Sequence, residues 1–236
     1  MNNCNSIYKP SFLARLARVL IPLLRKFLPD DIYIIVYGWL YNSYKWLLRK
    51  SYIFRIAGVY VFGNQEDKLR SMLTWKLLPY TMGGRKALEN AFDIIALIER
   101  NQIPGALIEC GVAEGGTAGM LALANKRLGK EHREKWFFDS YEGLPEPTEE
   151  DYIHGKAGDF IRPLPKGSCL GTLEQVSDLM YNTLSISKEE VHLIKGWFQD
   201  TVPAYKDQVG DAIAVLRLDG DWYESTKIPL ENFYDK

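Results

Sequence analysis

The sequence predicts an α/β fold with a helical extension at its N-terminus. Short apolar segments alternate with helical ones from residue 88 onward, a pattern typical of a parallel sheet with helical crossovers. The first 58 residues carry nine Lys or Arg against two Asp, whereas the remainder carries 20 basic and 28 acidic residues. This charge asymmetry indicates two regions under different electrostatic demands, with a border between residues 58 and 76.

The composition is that of a globular protein that buries a core. Of the 236 residues, 47% are hydrophobic and 25% are charged, which excludes a disordered or collagen-like chain. No stretch of about 18 uncharged apolar residues predicts a conventional spanning helix. Cys4, Cys110 and Cys169 are too few and too scattered for a disulfide framework or a zinc site. We therefore expect a cytoplasmic protein.

Residues 1–75 are predicted to form a basic, aromatic-rich helical extension. Residues 11–28 place three arginines near one helical face and aliphatic side chains over the rest, with a kink at Pro22. A second stretch, residues 32–44, contains no charge and repeats tyrosines at helical spacing.

Two interpretations of this extension stay open. Aromatic rings and cations suit the headgroup layer of an anionic bilayer, which predicts peripheral membrane contact through residues 11–48. The alternative is a helical cap that packs on the rest of the chain or on a second copy in a homo-oligomer. A nucleic-acid partner is not expected, because the basic residues alternate with bulky aliphatic ones. Charges also interrupt any signal-peptide core.

Residues 76–236 are predicted to form one ligand-binding domain. Helices are expected over residues 88–100 and 118–128, where apolar residues recur at helical spacing. Ligands of such α/β sheets bind at the carboxyl ends of the strands. The predicted strands are residues 106–111, 135–139, 191–195 and 212–218.

The first strand runs into the segment ECGVAEGG, residues 109–116. Its glycines lack the G-x-G-x-x-G spacing of dinucleotide sites, but Gly111 allows a sharp turn and a close ligand approach. Glu109 is a poor partner for a pyrophosphate and suits an α-ammonium or sulfonium group, while Asp139 can bind both ribose hydroxyls. These residues favour S-adenosylmethionine over NAD. A tight turn without a ligand is the alternative.

Further motifs follow the later strands in order. They are DSYEGLP at residues 139–145, GWFQDTVP at 196–203 and LRLDGDWYEST at 216–226. Together with ECGVAEGG, YTM at 80–82 and TLEQV at 172–176, they closely resemble the macrocin O-methyltransferase family over roughly residues 76–236. The resemblance implies a Rossmann-like class I methyltransferase sheet, magnesium dependence, and methylation of a sugar hydroxyl in a glycoside or glycan acceptor.

The resemblance also assigns roles to single residues. Asp219 matches the family's first metal carboxylate, and its alternative role is a helix cap or a turn. Asp221 is expected to be structural. The implied cofactor-binding residues are Tyr80, Thr81, Glu109, Cys110, Gly111, Val112, Ala113, Asp139, Ser140, Tyr141, Glu142, Gly143 and Asp219.

The metal site is the first departure from the family. The family's Asp-Asp pair, somewhat under thirty residues beyond the first carboxylate, has no counterpart, since Asp219 lies 17 residues before Lys236. One carboxylate with water is a weak magnesium site. The chain is therefore expected to be a fragment of a longer reading frame or a protein that binds the cofactor without catalysis. The truncated sheet, ending on residues 212–216, is expected to expose an apolar edge and self-associate.

The general base is the second departure. The family places a catalytic His before the TLEQV segment, but residues 159–164 contain none. His154 lies nearby and is the predicted base, with an exposed loop histidine as the alternative. Residues 146–165, rich in Pro, Gly and charge, are predicted to form a lid over the acceptor.

Overall fold

The computed structural model describes residues 24, 26–130, 132–151, 153–154, 160–161 and 164–236. The chain divides into two compact units, Met1–Tyr44 and Lys45–Lys236. The predicted helix over residues 11–28, with its kink at Pro22, falls almost wholly outside the described residues. The functional border that the sequence predicts at residue 75 stays a prediction.

Helix α1 (Asp30–Phe62) begins in the first unit. Its tyrosines lie along one side of the helix, as their spacing predicts. The rings of Tyr33, Tyr37 and Tyr41 stack in succession, with centroids 5.7 and 5.9 Å apart. Across the described part of the chain, we find no helix with both the length and the apolar character needed to cross a membrane.

The second unit contains the end of α1 and all the remaining elements. Its helices are α2 (Gln65–Leu77), α3 (Gly84–Arg100), α4 (Gly116–Leu128), α5 (Leu173–Ser177), α6 (Phe198–Tyr205) and α7 (Tyr223–Phe233). Two 3-10 turns, Leu78–Tyr80 and Glu149–Asp151, and a π-helical turn, Asp178–Thr183, join them. Its strands are β1 (Ala106–Cys110), β2 (Lys135–Asp139), β3 (Ile153–His154), β4 (Phe160–Ile161), β5 (Val191–Lys195) and β6 (Ile213–Leu218).

Four parallel strands form the central sheet, in the order β5-β2-β1-β6. Strand β1 pairs with β2 on one side and with β6 on the other, so the predicted α/β sheet is confirmed. All five residues of β1 are buried, as expected for a strand covered on both faces. Strand β6 lies at an edge of the described sheet, and the self-association expected from it stays a prediction. Strands β3 and β4 form a separate antiparallel pair.

The sheet separates two layers of the core. Because side chains alternate along a strand, Leu107 and Phe137 face one layer while Ile108 and Phe138 face the other. Helices α3 and α4 cover the first layer with apolar side chains that include Phe92, Ile95, Leu121 and Ala122. Val202 of α6 and Phe233 of α7 cover the second layer. This packing holds the strand ends, and hence the candidate site, on a rigid support.

Candidate active site

The turn after β1 is built around Gly111. Its φ is +94°, and a Cβ at this position would overlap the carbonyl group of Asp219. The Gly111 amide donates to the Phe138 carbonyl at 3.0 Å, and the Asp219 amide donates to the Cys110 carbonyl at 2.8 Å. The predicted sharp turn is confirmed, because only glycine allows the ends of β1 and β6 to approach so closely.

Asp139, at the end of β2, holds the loops after β1 and β2 in place. Its Oδ2 accepts from the backbone amides of Val112 at 2.7 Å and Ala113 at 2.9 Å. Its Oδ1 accepts from the Tyr141 amide at 2.7 Å. A carboxylate offers about four acceptor positions, so three are already used and little capacity is left for ribose hydroxyls. The sequence predicted the position of Asp139 but not this structural role.

The turn after β2 is closed by its own polar groups. The Ser140 hydroxyl donates to the Gly143 carbonyl at 3.0 Å, and the Glu142 amide donates to the Ser140 hydroxyl at 3.2 Å. Glu142 also forms an exposed ion pair with Lys195 at 3.2 Å. Residues 139–143, predicted as one binding segment, therefore form a single ordered turn at the carboxyl end of the sheet.

Glu109 is fully buried at the end of β1. Its Oε1 accepts from the Thr117 hydroxyl and from Arg217 Nη1, each at 2.5 Å. Its Oε2 is buried without a hydrogen-bond partner among the described residues. Burial raises the Glu109 pKa to about 7, with Arg217 and Thr117 opposing the rise and the Asp219 charge adding to it. Arg217 is a residue that the sequence patterns missed.

Arg217 also joins Glu109 to the end of β6. Its Nη2 donates to Asp219 Oδ2 at 2.7 Å, so one guanidinium bridges two carboxylates. Burial and the charge of Asp219 raise the pKa of Asp221, which has a φ of +62°. The half-buried Cys169 thiol has its pKa raised to about 12 by burial and then by these two carboxylates. Glu109, Asp219 and Asp221 therefore form an acidic cluster at the ends of β1 and β6, here called the acidic corner.

This corner does not provide a magnesium site from the residues that the structure describes. Among them, no group of three His, Cys, Asp or Glu side chains could hold a metal ion. Asp219 already binds Arg217, and octahedral magnesium requires more oxygen ligands than Asp219 and Asp221 offer. Asp219 as a metal ligand stays a prediction.

The structure brings several other predicted residues beside the β1 turn. Tyr80 and Thr81 pack against Gly116 at the start of α4, where a Cβ would lie 2.6 Å from the Tyr80 carbonyl oxygen. Cys110 has its side chain in the apolar core with Phe138, and Tyr141 is buried in the other core layer. These two residues can therefore contribute to a binding site mainly through their backbones.

Backbone hydrogen bonds join the two ends of the predicted lid segment, residues 146–165, where it leaves the sheet. The Leu144 amide donates to the Ser168 carbonyl at 2.8 Å, and the Gly167 amide donates to the Leu144 carbonyl at 2.9 Å. Asp151 accepts from the Tyr223 amide at 2.7 Å, which ties this segment to the start of α7. His154 lies in β3, opposite Phe160 of β4, but its side chain is outside the described part of the chain. The role of His154 as a base stays a prediction.

A partly buried ion pair connects α1 to the glycine-rich loop. Lys45 Nζ lies 2.6 Å from Glu114 Oε2, and the Lys45 side chain is 9% exposed. The two residues are 69 positions apart, so no sequence pattern could have paired them.

Comparison with known proteins identifies the family. Residues 43–236 match the family described as Macrocin-O-methyltransferase (TylF). The chain belongs to the macrocin-O-methyltransferase family. The match confirms the resemblance carried by the motifs and begins earlier than residue 76. Residues 45–75, which form part of the same compact unit as the sheet, are thus included.

Curated relatives are similar over about 70% of the chain. A demethyldecarbamoylnovobiocin O-methyltransferase from Streptomyces niveus is 34% identical and covers 69% of this chain. An 8-demethyl-8-(2,3-dimethoxy-alpha-L-rhamnosyl)-tetracenomycin-C 4'-O-methyltransferase from Streptomyces olivaceus is 31% identical over 76% of it. A mycinamicin III 3''-O-methyltransferase from Micromonospora griseorubida is 26% identical over 72%. The matches span 60%, 68% and 66% of these relatives' own lengths.

Solved structures agree with the fold. The O-methyltransferase NovP is 34% identical, with a TM-score of 0.55 over 66% of this chain and 62% of its own. The calicheamicin methyltransferase CalS11 is 18% identical, with a TM-score of 0.52 over 78% of this chain and 72% of its own. The predicted Rossmann-like methyltransferase fold is therefore confirmed over the matched region.

Proposed function

We propose that the protein containing this chain is an S-adenosylmethionine-dependent O-methyltransferase that acts on a sugar hydroxyl of a glycosylated small molecule or glycan. Family membership supports methyl transfer, and the name of the tetracenomycin relative specifies a rhamnosyl acceptor. The observation that carries the proposal is the convergence of the ends of β1, β2 and β6, which groups Glu109, Asp139 and Asp219 around the turn at Gly111.

The chemistry of this acidic corner fits a cationic nucleoside. Among the described residues, no group hydrogen-bonds to Oε2 of Glu109, and the pKa of about 7 means that burial strongly disfavours the charged form of this carboxylate. A cationic group close to that oxygen would favour the ionised form, as the α-ammonium of S-adenosylmethionine would. When bound, this cofactor supplies a methyl group to the acceptor hydroxyl. Backbone groups of the Asp139-linked turns would hold the nucleoside.

His154 is the proposed proton acceptor, at a ring nitrogen. It belongs to the segment between Leu144 and Ser168, which are joined by a backbone hydrogen bond. The next residue, Cys169, lies close enough to Asp219 and Asp221 for their charges to add to the effect of burial in raising its pKa. This segment would exclude water from the acceptor. We assign no step to magnesium, because the described residues do not assemble its ligands. The free thiols of Cys110 and Cys169 suit a reducing compartment, so we propose a cytoplasmic location.

Calorimetry with S-adenosylhomocysteine tests the cofactor assignment. The wild-type chain should bind it, Glu109→Gln should bind it at least about tenfold more weakly, and the exposed Glu174→Gln should match the wild type. Repeating the titration with magnesium distinguishes a metal-assisted enzyme from a protein that binds the cofactor without catalysis. Binding strengthened by the metal supports the enzyme, and binding indifferent to it supports the second. Methyl transfer from labelled S-adenosylmethionine to a panel of glycosides then tests the activity. Absence of binding by the wild-type chain would refute the assignment.

A further inference from the structure

The outward side of α1 within the second unit is an apolar surface. Phe54 is 83% exposed and Phe62 is 90% exposed. At 1.5 Å per residue, the segment from Trp46 to Phe62 extends for roughly 24 Å. Exposed apolar patches of this extent mark interaction sites in globular proteins. The exposed large apolar residues of this segment, here called the α1 outer face, are Trp46, Leu47, Ile53, Phe54, Tyr60, Val61 and Phe62.

The opposite side of the same helix is fixed to the second unit. Tyr52 is buried, and its hydroxyl donates to Glu89 of α3 at 3.1 Å. The Arg49 guanidinium lies 4.3 Å from the ring centroid of Trp75 in α2. Because these contacts set the rotation of the helix, the α1 outer face points away from the unit that carries the candidate site.

The charged residues of α1 near this face are basic. Residues 32–65 contain four Lys or Arg and no Asp or Glu. Lys45 is buried against Glu114 and Arg49 packs on Trp75, which leaves Lys50 and Arg55 at the exposed face. Lys50 lies on the outer face, with its Nζ 5.6 Å from the Trp46 ring centroid. Arg55 is nearly half exposed beside it, with Glu89 of α3 3.6 Å away. An exposed helix that combines aromatic rings with cations has the chemistry of an interfacial membrane helix.

We propose that the α1 outer face docks on the surface of an anionic lipid bilayer. The aromatic and aliphatic side chains would enter the headgroup boundary while Lys50 and Arg55 contact lipid phosphates. A second copy of the chain is the less favourable occupant. Two such faces would bring cations together, and no acidic residue between positions 32 and 65 could pair with them.

Vesicle co-sedimentation of the full chain tests this proposal. Phosphatidylcholine vesicles with about one-third phosphatidylserine are compared with pure phosphatidylcholine, at low and high salt. The chain should sediment with the anionic vesicles, and high salt should release it. Phe54→Glu and Lys50→Glu should each weaken this binding at least about tenfold, because each adds a negative charge to the face. The matched controls are Tyr234→Glu, an aromatic residue that is 77% exposed, and the exposed Lys130→Glu.

Three outcomes would overturn the proposal. One is failure of the wild-type chain to bind anionic vesicles. Another is unchanged binding by Phe54→Glu with an intact circular dichroism spectrum. The third is a wild-type dimer by light scattering that Phe54→Glu dissociates, without lipid binding, since that result assigns the face to a second copy. None of these outcomes depends on cofactor binding.

Discussion

Replacement of Glu109 by Gln should stabilise the folded chain at pH 8. Glu109 is fully buried, and its pKa rises from 4.5 to about 7. Each pKa unit corresponds to about 1.4 kcal/mol, so keeping this carboxylate ionised costs the folded state about 3 kcal/mol. Gln resembles the protonated acid and avoids that cost. Arg217 keeps Asp219 as an ionic partner, so the substitution does not leave the guanidinium unpaired.

The effect has a defined sign with pH. The folded chain holds the Glu109 proton more tightly than the unfolded chain, so protonation favours folding. That contribution is present at low pH and is lost as the pH rises from about 4.5 through about 7. The groups that face the carboxylate are Thr117, Arg217 and the more distant Asp219. The stability gained from Glu109→Gln should therefore grow from under about 1 kcal/mol at pH 5 to about 3 kcal/mol at pH 8.

Urea unfolding at pH 5, 6.5 and 8 measures this difference. Wild type, Glu109→Gln and the exposed control Glu174→Gln are compared, with the control expected to match the wild type at every pH. The stabilised variant should also bind S-adenosylhomocysteine more weakly. A constant free-energy difference across the three pH values would refute the reasoning. So would a Glu109→Gln chain that is less stable than the wild type at pH 8.

Three other substitutions test the framework of the site by urea unfolding and S-adenosylhomocysteine calorimetry. Gly111→Ala should lower the free energy of unfolding by about 2 kcal/mol or more, because Gly111 has a positive φ and a Cβ there would overlap Asp219. It should also abolish S-adenosylhomocysteine binding. Asp139→Ala leaves three amides without their acceptor and should cost about 3 kcal/mol. Lys45→Met leaves Glu114 without its cation and should cost about 2 kcal/mol, with Lys45→Arg restoring most of it. If any of the three substitutions lowered the free energy of unfolding by less than about 0.5 kcal/mol, the stabilising role given to that contact would be wrong.

Local patterns were sufficient for the elements of the sheet. Strands predicted at residues 135–139 and 191–195 have those bounds in the structure, and the helix predicted from residue 118 begins at Gly116. These elements could be predicted because buried parallel strands form short apolar segments between helices. The turn at Gly111 could also be predicted locally, because a glycine directly after a strand allows a sharp turn of the backbone.

The contacts within the site could not be predicted in this way. Arg217 reaches Glu109 across 108 positions, and Lys45 reaches Glu114 across 69. Such pairs depend on sheet order and helix placement, which a pattern of nearby residues does not contain. The hydrogen bonds of Asp139 to backbone amides were not predicted for another reason, and its binding of ribose stays a prediction. Its position was correct, but backbone amides compete with ribose for its oxygens, and only the loop geometry reveals that competition.

The carboxylates at this end of the sheet are neutralised by different means, and this difference indicates where a cation can bind. Asp139 accepts from three backbone amides, and Asp219 shares Arg217 with Glu109. One guanidinium cannot balance two carboxylates, and Asp221 adds a further acidic group whose pKa is raised. The uncompensated negative charge is therefore concentrated between β1 and β6. Glu109 is the buried member of this group, and it shares its one cation, Arg217, with Asp219. A buried carboxylate that is only partly compensated destabilises the fold, which supports the proposal that a cationic ligand completes the site.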